Sequence, residues 1–189
     1  MGSLRKGRWA LLTALFLSAG GFAQDRIASC KACHGADGNS VTAGVPSLAG
    51  QPKLFLENQM ILFREELRRS PVMTPILAGI KDPEIIALAE HFSKLPARPV
   101  AEGPSQKELF EKGSALGRKL RCNVCHVSTY HGQKQMPRLA GQREDYLNAE
   151  LLAYRDGKRS GGDTIMAAAL YGVKDDELRA LAHFLSRLP

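Results

Sequence analysis

A chain of 189 residues with 26 Lys and Arg against 19 Asp and Glu carries a formal charge of +7. The cations are spread along the chain with no Lys/Arg run, so the concentrated basic face that nucleic acid selects is not expected. With 6% aromatic residues the chain also has little bulky apolar mass from which to build a core.

Arg5, Lys6 and Arg8 precede an apolar stretch from Trp9 to Ala19, and Gly21-Phe22-Ala23 follows with small residues at the two positions a signal peptidase reads. This is the three-part pattern of an export signal, residues 1–23, cut after Ala23. The apolar run is too short for a membrane anchor, because a spanning helix needs about 20 residues. Removing its three cations leaves 23 Lys and Arg against 19 acids, an excess of four.

Next comes Cys30-Lys31-Ala32-Cys33-His34, followed by Pro46-Ser47-Leu48-Ala49-Gly50-Gln51. A middle helix is expected over Lys53 to Arg69 and a loop around Met73. Asp82-Pro83-Glu84 places a capping carboxylate before a proline at the first helical position. Ile85, Leu88, Ala89, Phe92 and Leu95 then mark one apolar helical face. Pro96 to Pro104 holds three prolines and a glycine, a linker no regular element can occupy.

The second half repeats the first. Ser105-Gln106-Lys107-Glu108 reads as a capping box opening a helix toward Cys122. Cys122-Asn123-Val124-Cys125-His126 recurs 92 residues after its counterpart, and Pro137-Arg138-Leu139-Ala140-Gly141-Gln142 recurs 91 after. A middle helix is expected from Glu144 to Asp156 and a loop at Met166, which falls 93 residues after Met73. Leu178, Leu181, Ala182, Leu185 and Leu188 face a final helix. The expectation is an all-α duplication: domain 24–97, linker 98–104 and domain 105–189.

Every cysteine belongs to a C-x-x-C-H. Two thiols three positions apart can add to the two vinyl groups on one edge of a haem, and the next residue then offers its imidazole to the iron. Thus Cys30 and Cys33 with His34, and Cys122 and Cys125 with His126, are the expected haem-attachment sites. The rivals fit less well. A thioredoxin-like site wants a βαβ context, a four-cysteine zinc site wants its pairs about 15–20 residues apart, and a C-x-x-C disulfide closes a strained loop. Two bound haems would also supply the apolar mass that units of this size lack.

Methionine is a soft second axial ligand that raises a haem potential. Of five methionines, Met73 and Met166 alone are matched by the repeat, and they are the expected sixth ligands; core filling is the competing role. His91, His131 and His183 have no matched histidine. Pro46 and Pro137, 12 and 11 residues after the histidines, are expected either as simple turn prolines or as carbonyls that accept the imidazole N–H. Arg64 and Arg155 are expected either on haem propionates or as helix-surface charge.

C-K-A-C-H-G-A-D-G-N-S, then P-S-L-A-G-Q, a loop methionine and a final helix ending Leu-Pro resemble a class I cytochrome c domain. The duplication resembles the dihaem cytochrome c4 family and covers residues 24–189. The resemblance implies two tandem cytochrome c domains related by a pseudo-twofold, each around one covalent haem c with His/Met ligation. It implies a periplasmic electron carrier whose irons cycle between Fe(II) and Fe(III), exchanging electrons with a quinol-oxidising complex, terminal oxidase or dehydrogenase, with peripheral membrane association. Two alternatives remain: an electron-transfer subunit of a dehydrogenase or sulfur-oxidising enzyme, and a dihaem enzyme, against which two methionine-closed irons argue. In the second half Val127 stands where the family pattern has glycine, so a different loop over one haem edge is expected there.

Overall fold

The computed structural model describes residues 20–100 and 103–189; the leader expected over residues 1–23 lies, through residue 19, outside them. The described residues are helical, with one isolated bridge between Gln133 and Met136. The first half contains α1 (Gly20–His34), α2 (Lys53–Arg64), α3 (Met73–Leu77) and α4 (Asp82–Ser93). The second contains α5 (Lys107–Lys119), α6 (Cys122–Cys125), α7 (Glu144–Arg155), α8 (Thr164–Ala169) and α9 (Asp175–Ser186).

Each half has its own apolar cluster. Ile27 of α1 and Leu56 and Phe63 of α2 close on Ile85, Leu88, Ala89 and Phe92 of α4. Leu116 of α5 and Leu147 and Leu151 of α7 close on Leu178, Leu181, Ala182 and Leu185 of α9. Burying each large side chain of this kind stabilises by about 1.5–3 kcal/mol. The α5–α9 crossing is close because two residues of α5 are glycine. A Cβ on Gly113 would lie 2.0 Å from the Ala180 carbonyl oxygen. Phe184 meets Phe110 and Tyr130 edge-on at centroid distances of 5.1 and 5.6 Å.

Three local expectations change. The first middle helix ends at Arg64 rather than Arg69, because Glu66 turns left-handed at φ +56° and the Arg68 N–H closes onto Leu62 O at 2.9 Å. The matching turn in the second half falls on Gly157 at φ +65°, a residue suited to end a helix, and there the sequence reading was one residue from the boundary. The cap of α4 is Lys81, not Asp82: the Lys81 N–H donates to Glu84 Oε2 at 3.1 Å, while Asp82 accepts from Arg64 Nη1 at 2.6 Å. Ser105 forms no capping box with Glu108. Gln106 is the cap of α5, and its N–H donates to His183 Nε2 at 3.0 Å.

The halves meet through matched residues that cross reciprocally, as a pseudo-twofold requires. Arg68 Nη1 donates to Gln59 Oε1 at 2.7 Å and Nη2 to Glu150 Oε1 at 2.9 Å. Its mate Arg159 donates to Glu150 Oε2 through Nε and to Gln59 Oε1 at 3.0 Å through Nη2. Arg68 lies over the Phe63 ring and Arg159 over the ring of its mate Tyr154. Residues 98–100 run along this interface. Arg98 N–H donates to Asn39 Oδ1 at 2.8 Å, and Val100 N–H to Gly141 O at 3.3 Å.

Candidate haem sites

Cys30 and Cys33 occupy the last turn of α1, and Cys122 and Cys125 form the single turn α6. One thiol of each pair is half-buried and the other exposed, and none is in a disulfide. Among the described residues, no three Cys, His, Asp or Glu side chains gather where a metal ion could be held.

His34 is the last residue of α1 and His126 the residue that follows α6, and both are buried. His34 Nδ1 is 2.8 Å from Pro46 O, and His126 Nδ1 is 2.9 Å from Pro137 O. A carbonyl oxygen only accepts, so Nδ1 must carry the proton in both rings. Burial pushes both imidazoles toward the neutral form, outweighing the carbonyl, which favours the cation. Each ring thus keeps its Nε2 lone pair for a metal. The residues fit haem c: a thiol pair and a neutral imidazole of fixed tautomer on one short segment, twice.

Met73 and Met166 stand not in loops but in short helices, α3 and α8. Their positions are set by matching turns. Ser70 Oγ accepts the Met73 N–H at 3.1 Å, and the Asp163 carboxylate accepts the N–H groups of Ile165 and Met166. Met73 and Cys30 both border the first apolar cluster, and Met166 and Cys122 both border the second. Met60 also lines the first cluster, where its mate Leu151 is a core residue of the second, as core filling predicts.

Of the rival histidines, His91 meets the Phe92 ring edge-on at a centroid distance of 5.0 Å, and the other two have polar partners. His183 is buried, with Nε2 on the Gln106 N–H and Nδ1 on Glu144 at 3.1 Å; it ties α9 to α5 and α7. His131 Nε2 lies 3.0 Å from Pro189 O. Arg64 donates to Ile80 O and Asp82, and Arg155 to Val173 O and Asp175. The two arginines therefore join the middle helix to the last one in each half.

The second-half loop keeps more of the first-half path than its sequence suggests. Gly38 N–H donates to Gly35 O at 2.9 Å, and Gly38 O accepts from Leu48 and Ala49. Tyr130 N–H donates to Val127 O at 3.0 Å, and Tyr130 O accepts from Leu139 and Ala140. The loops diverge only beyond Tyr130, where Gly132 N–H turns back to His126 O and Gln133 pairs with Met136. The expected difference is thus confined to residues 131–136.

Sequence reasoning passed over Gln51 and Gln142, the last residues of the repeated hexapeptide. Both are buried, and each reaches into the opposite half. Gln142 Oε1 accepts Ser47 N–H at 2.7 Å and its Nε2 donates to Ser47 O at 2.9 Å. Gln51 Oε1 accepts Arg138 N–H at 3.0 Å and its Nε2 donates to Arg138 O at 2.9 Å. Their only sequence signal was being matched in both halves.

Comparison with known proteins agrees with this site. The sequence model of the cytochrome c family matches residues 110–189. The chain is 32% identical to a cytochrome c4 of Pseudomonas aeruginosa, over 94% of this chain and 93% of that one. It is 33% identical to a thiosulfate dehydrogenase electron acceptor of Thiomonas intermedia, over 95% of this chain and 89% of that one. The crystal structure of reduced recombinant cytochrome c4 from Pseudomonas stutzeri superposes with a TM-score of 0.80 at 28% identity, covering 89% of this chain and 97% of that one. Matched C-x-x-C-H turns, carbonyl-anchored histidines and this likeness along nearly the whole chain give one conclusion: the chain belongs to the cytochrome c4 family, a dihaem electron carrier with two covalent haem c groups.

Proposed function

We propose that His34 and Met73 in domain 24–97, and His126 and Met166 in domain 105–189, would each hold one haem iron. When bound, each haem supplies a one-electron Fe(II)/Fe(III) couple. Cys30, Cys33, Cys122 and Cys125 hold the macrocycles, and the histidines give neutral Nε2 lone pairs. The methionines favour the reduced irons. The observation that carries this reading is the matched pair of Nδ1–carbonyl bonds at Pro46 and Pro137, which leaves the same nitrogen free in both halves. With no open position required, no acid, base or nucleophile is needed, and the chain is a carrier rather than an enzyme.

The carrier works in the periplasm after removal of residues 1–23, and among the described residues no helix is long and apolar enough to cross a membrane. Its partners are redox proteins that accept or deliver single electrons. The similarity to a thiosulfate dehydrogenase electron acceptor favours a dehydrogenase as the electron donor, with a terminal oxidase downstream.

Potentiometric titration of the Met166→Ala protein tests the ligation. The second haem should open and its potential should fall while the first keeps its value; an unchanged second potential overturns the assignment of Met166.

A further inference from the structure

The peptide unit joining Pro46 to Ser47 makes hydrogen bonds in two directions. Its carbonyl oxygen holds His34 Nδ1–H at 2.8 Å, and its N–H donates to Gln142 Oε1 at 2.7 Å from the other half. The peptide joining Pro137 to Arg138 does the same, its carbonyl on His126 Nδ1–H at 2.9 Å and its N–H on Gln51 Oε1 at 3.0 Å. The orientation of each glutamine amide is fixed by chemistry. Ser47 N–H and Arg143 N–H both donate to the same atom of Gln142, which must therefore be oxygen. Arg138 N–H likewise requires an oxygen from Gln51, and Nε2 in each case faces the carbonyl of the same partner residue.

We propose that Gln142 and Gln51 are positioning residues acting across the interface, each tuning the haem of the opposite half through that half's axial histidine. The proposal rests on the assignment of His34 and His126 as iron ligands.

A peptide whose N–H is engaged has a more negative carbonyl oxygen, and chained hydrogen bonds in a low-dielectric interior strengthen one another. Gln51, Gln142 and Ser47 are all nearly fully buried, so water does not screen the effect. A stronger acceptor on Nδ1–H makes the imidazole a more basic ligand. A more basic ligand stabilises the ferric state and lowers the potential. Gln142 therefore holds down the potential of the first haem, and Gln51 that of the second. The packing of the two halves is thereby part of the ligand environment of both irons.

The test is a crossed pattern of potentials. Gln142→Met and Gln51→Met keep the side-chain length and remove the amide; Gln142→Asn and Gln51→Asn keep the amide but shorten its reach by one carbon. Each is titrated in the fully loaded two-haem protein, with the haems told apart by the NMR signals of their axial methionine methyls. Substitution at Gln142 should raise the potential of the first haem, and substitution at Gln51 that of the second. The expected shift is about threefold in the oxidised-to-reduced ratio, or about 28 mV at 59 mV per tenfold for one electron. The Nδ1–H resonance of the opposite histidine should move with it. Glu150→Gln, at the same interface but touching neither peptide, should leave both potentials in place.

A shift in the haem of the substituted half, equal shifts in both haems, or no shift in any of the four variants overturns the proposal. Absence of axial methionine signals in the unsubstituted protein would instead refute the ligation assignment, so the two failures are distinguishable. Where a methionine variant yields no loaded protein, the asparagine variant gives the same reading.

Discussion

Val127 takes the left-handed backbone turn of its repeat mate Gly35, with φ +60° against +93°. A β-branched residue at positive φ is strained, at a cost of about 1–3 kcal/mol. The half-loop it belongs to is nonetheless anchored by the same hydrogen bonds as in the first half. The reverse exchange has no room, since a Cβ on Gly35 would lie 2.2 Å from Asn39 O.

Val127→Gly should therefore stabilise the protein by about 1 kcal/mol, the strain relief exceeding the added chain entropy. Thermal unfolding should shift up by about 2–4 °C with an unaltered visible spectrum. A lower midpoint would mean that Val127 is held by packing rather than forced into strain.

Glu150 lies between two guanidiniums from opposite halves, Arg68 and Arg159. Glu150→Gln leaves both cations, largely buried, without a counter-charge. A fully buried pair broken on one side costs about 3–5 kcal/mol. Because Glu150 is partly exposed, we expect about 2 kcal/mol, read as a lower denaturant midpoint. No change would place the interface energy elsewhere.

Asp145 of α7 accepts the Gly44 N–H at 2.8 Å, so an acid group of one half caps the loop of the other. Hydrogen bonds from Arg143, and then from the Gly44 and Tyr146 N–H groups, hold its carboxyl below the ordinary 3.8. A depressed folded-state value means that the stability Asp145 contributes is full above pH about 4 and is lost as pH falls through the folded value. Asp145→Asn should flatten the acid limb of the stability profile below pH 4 and leave its neutral region nearly level. An acid limb identical to that of the unsubstituted protein would contradict this.

Much of the plan was legible because duplication acts as an internal control. The repeat separated Met73 and Met166 from the other methionines and paired Pro46 with Pro137. What it missed depended on tertiary contacts. Glu66 ends α2 where the second half uses Gly157, and only the glycine announces a turn in the sequence. Asp82 had the identity of a cap, but Arg64 claims it. The cross-interface roles of Gln51 and Gln142 depend on how two halves dock, which no pattern within either half encodes.

Covalent attachment is tested by mass. The purified protein should retain two haems after denaturation, and Cys30→Ala with Cys33→Ala should retain one. Two haems surviving that double substitution would remove α1 from the attachment site.

A pure electron carrier needs both irons closed by methionine. The direct measurement is the weak far-red absorption of the oxidised protein that marks a methionine–iron bond, quantified per haem. We expect the intensity of two such bonds and no high-spin signal. Intensity for one bond, with one high-spin iron, would show an open haem and contradict a pure carrier.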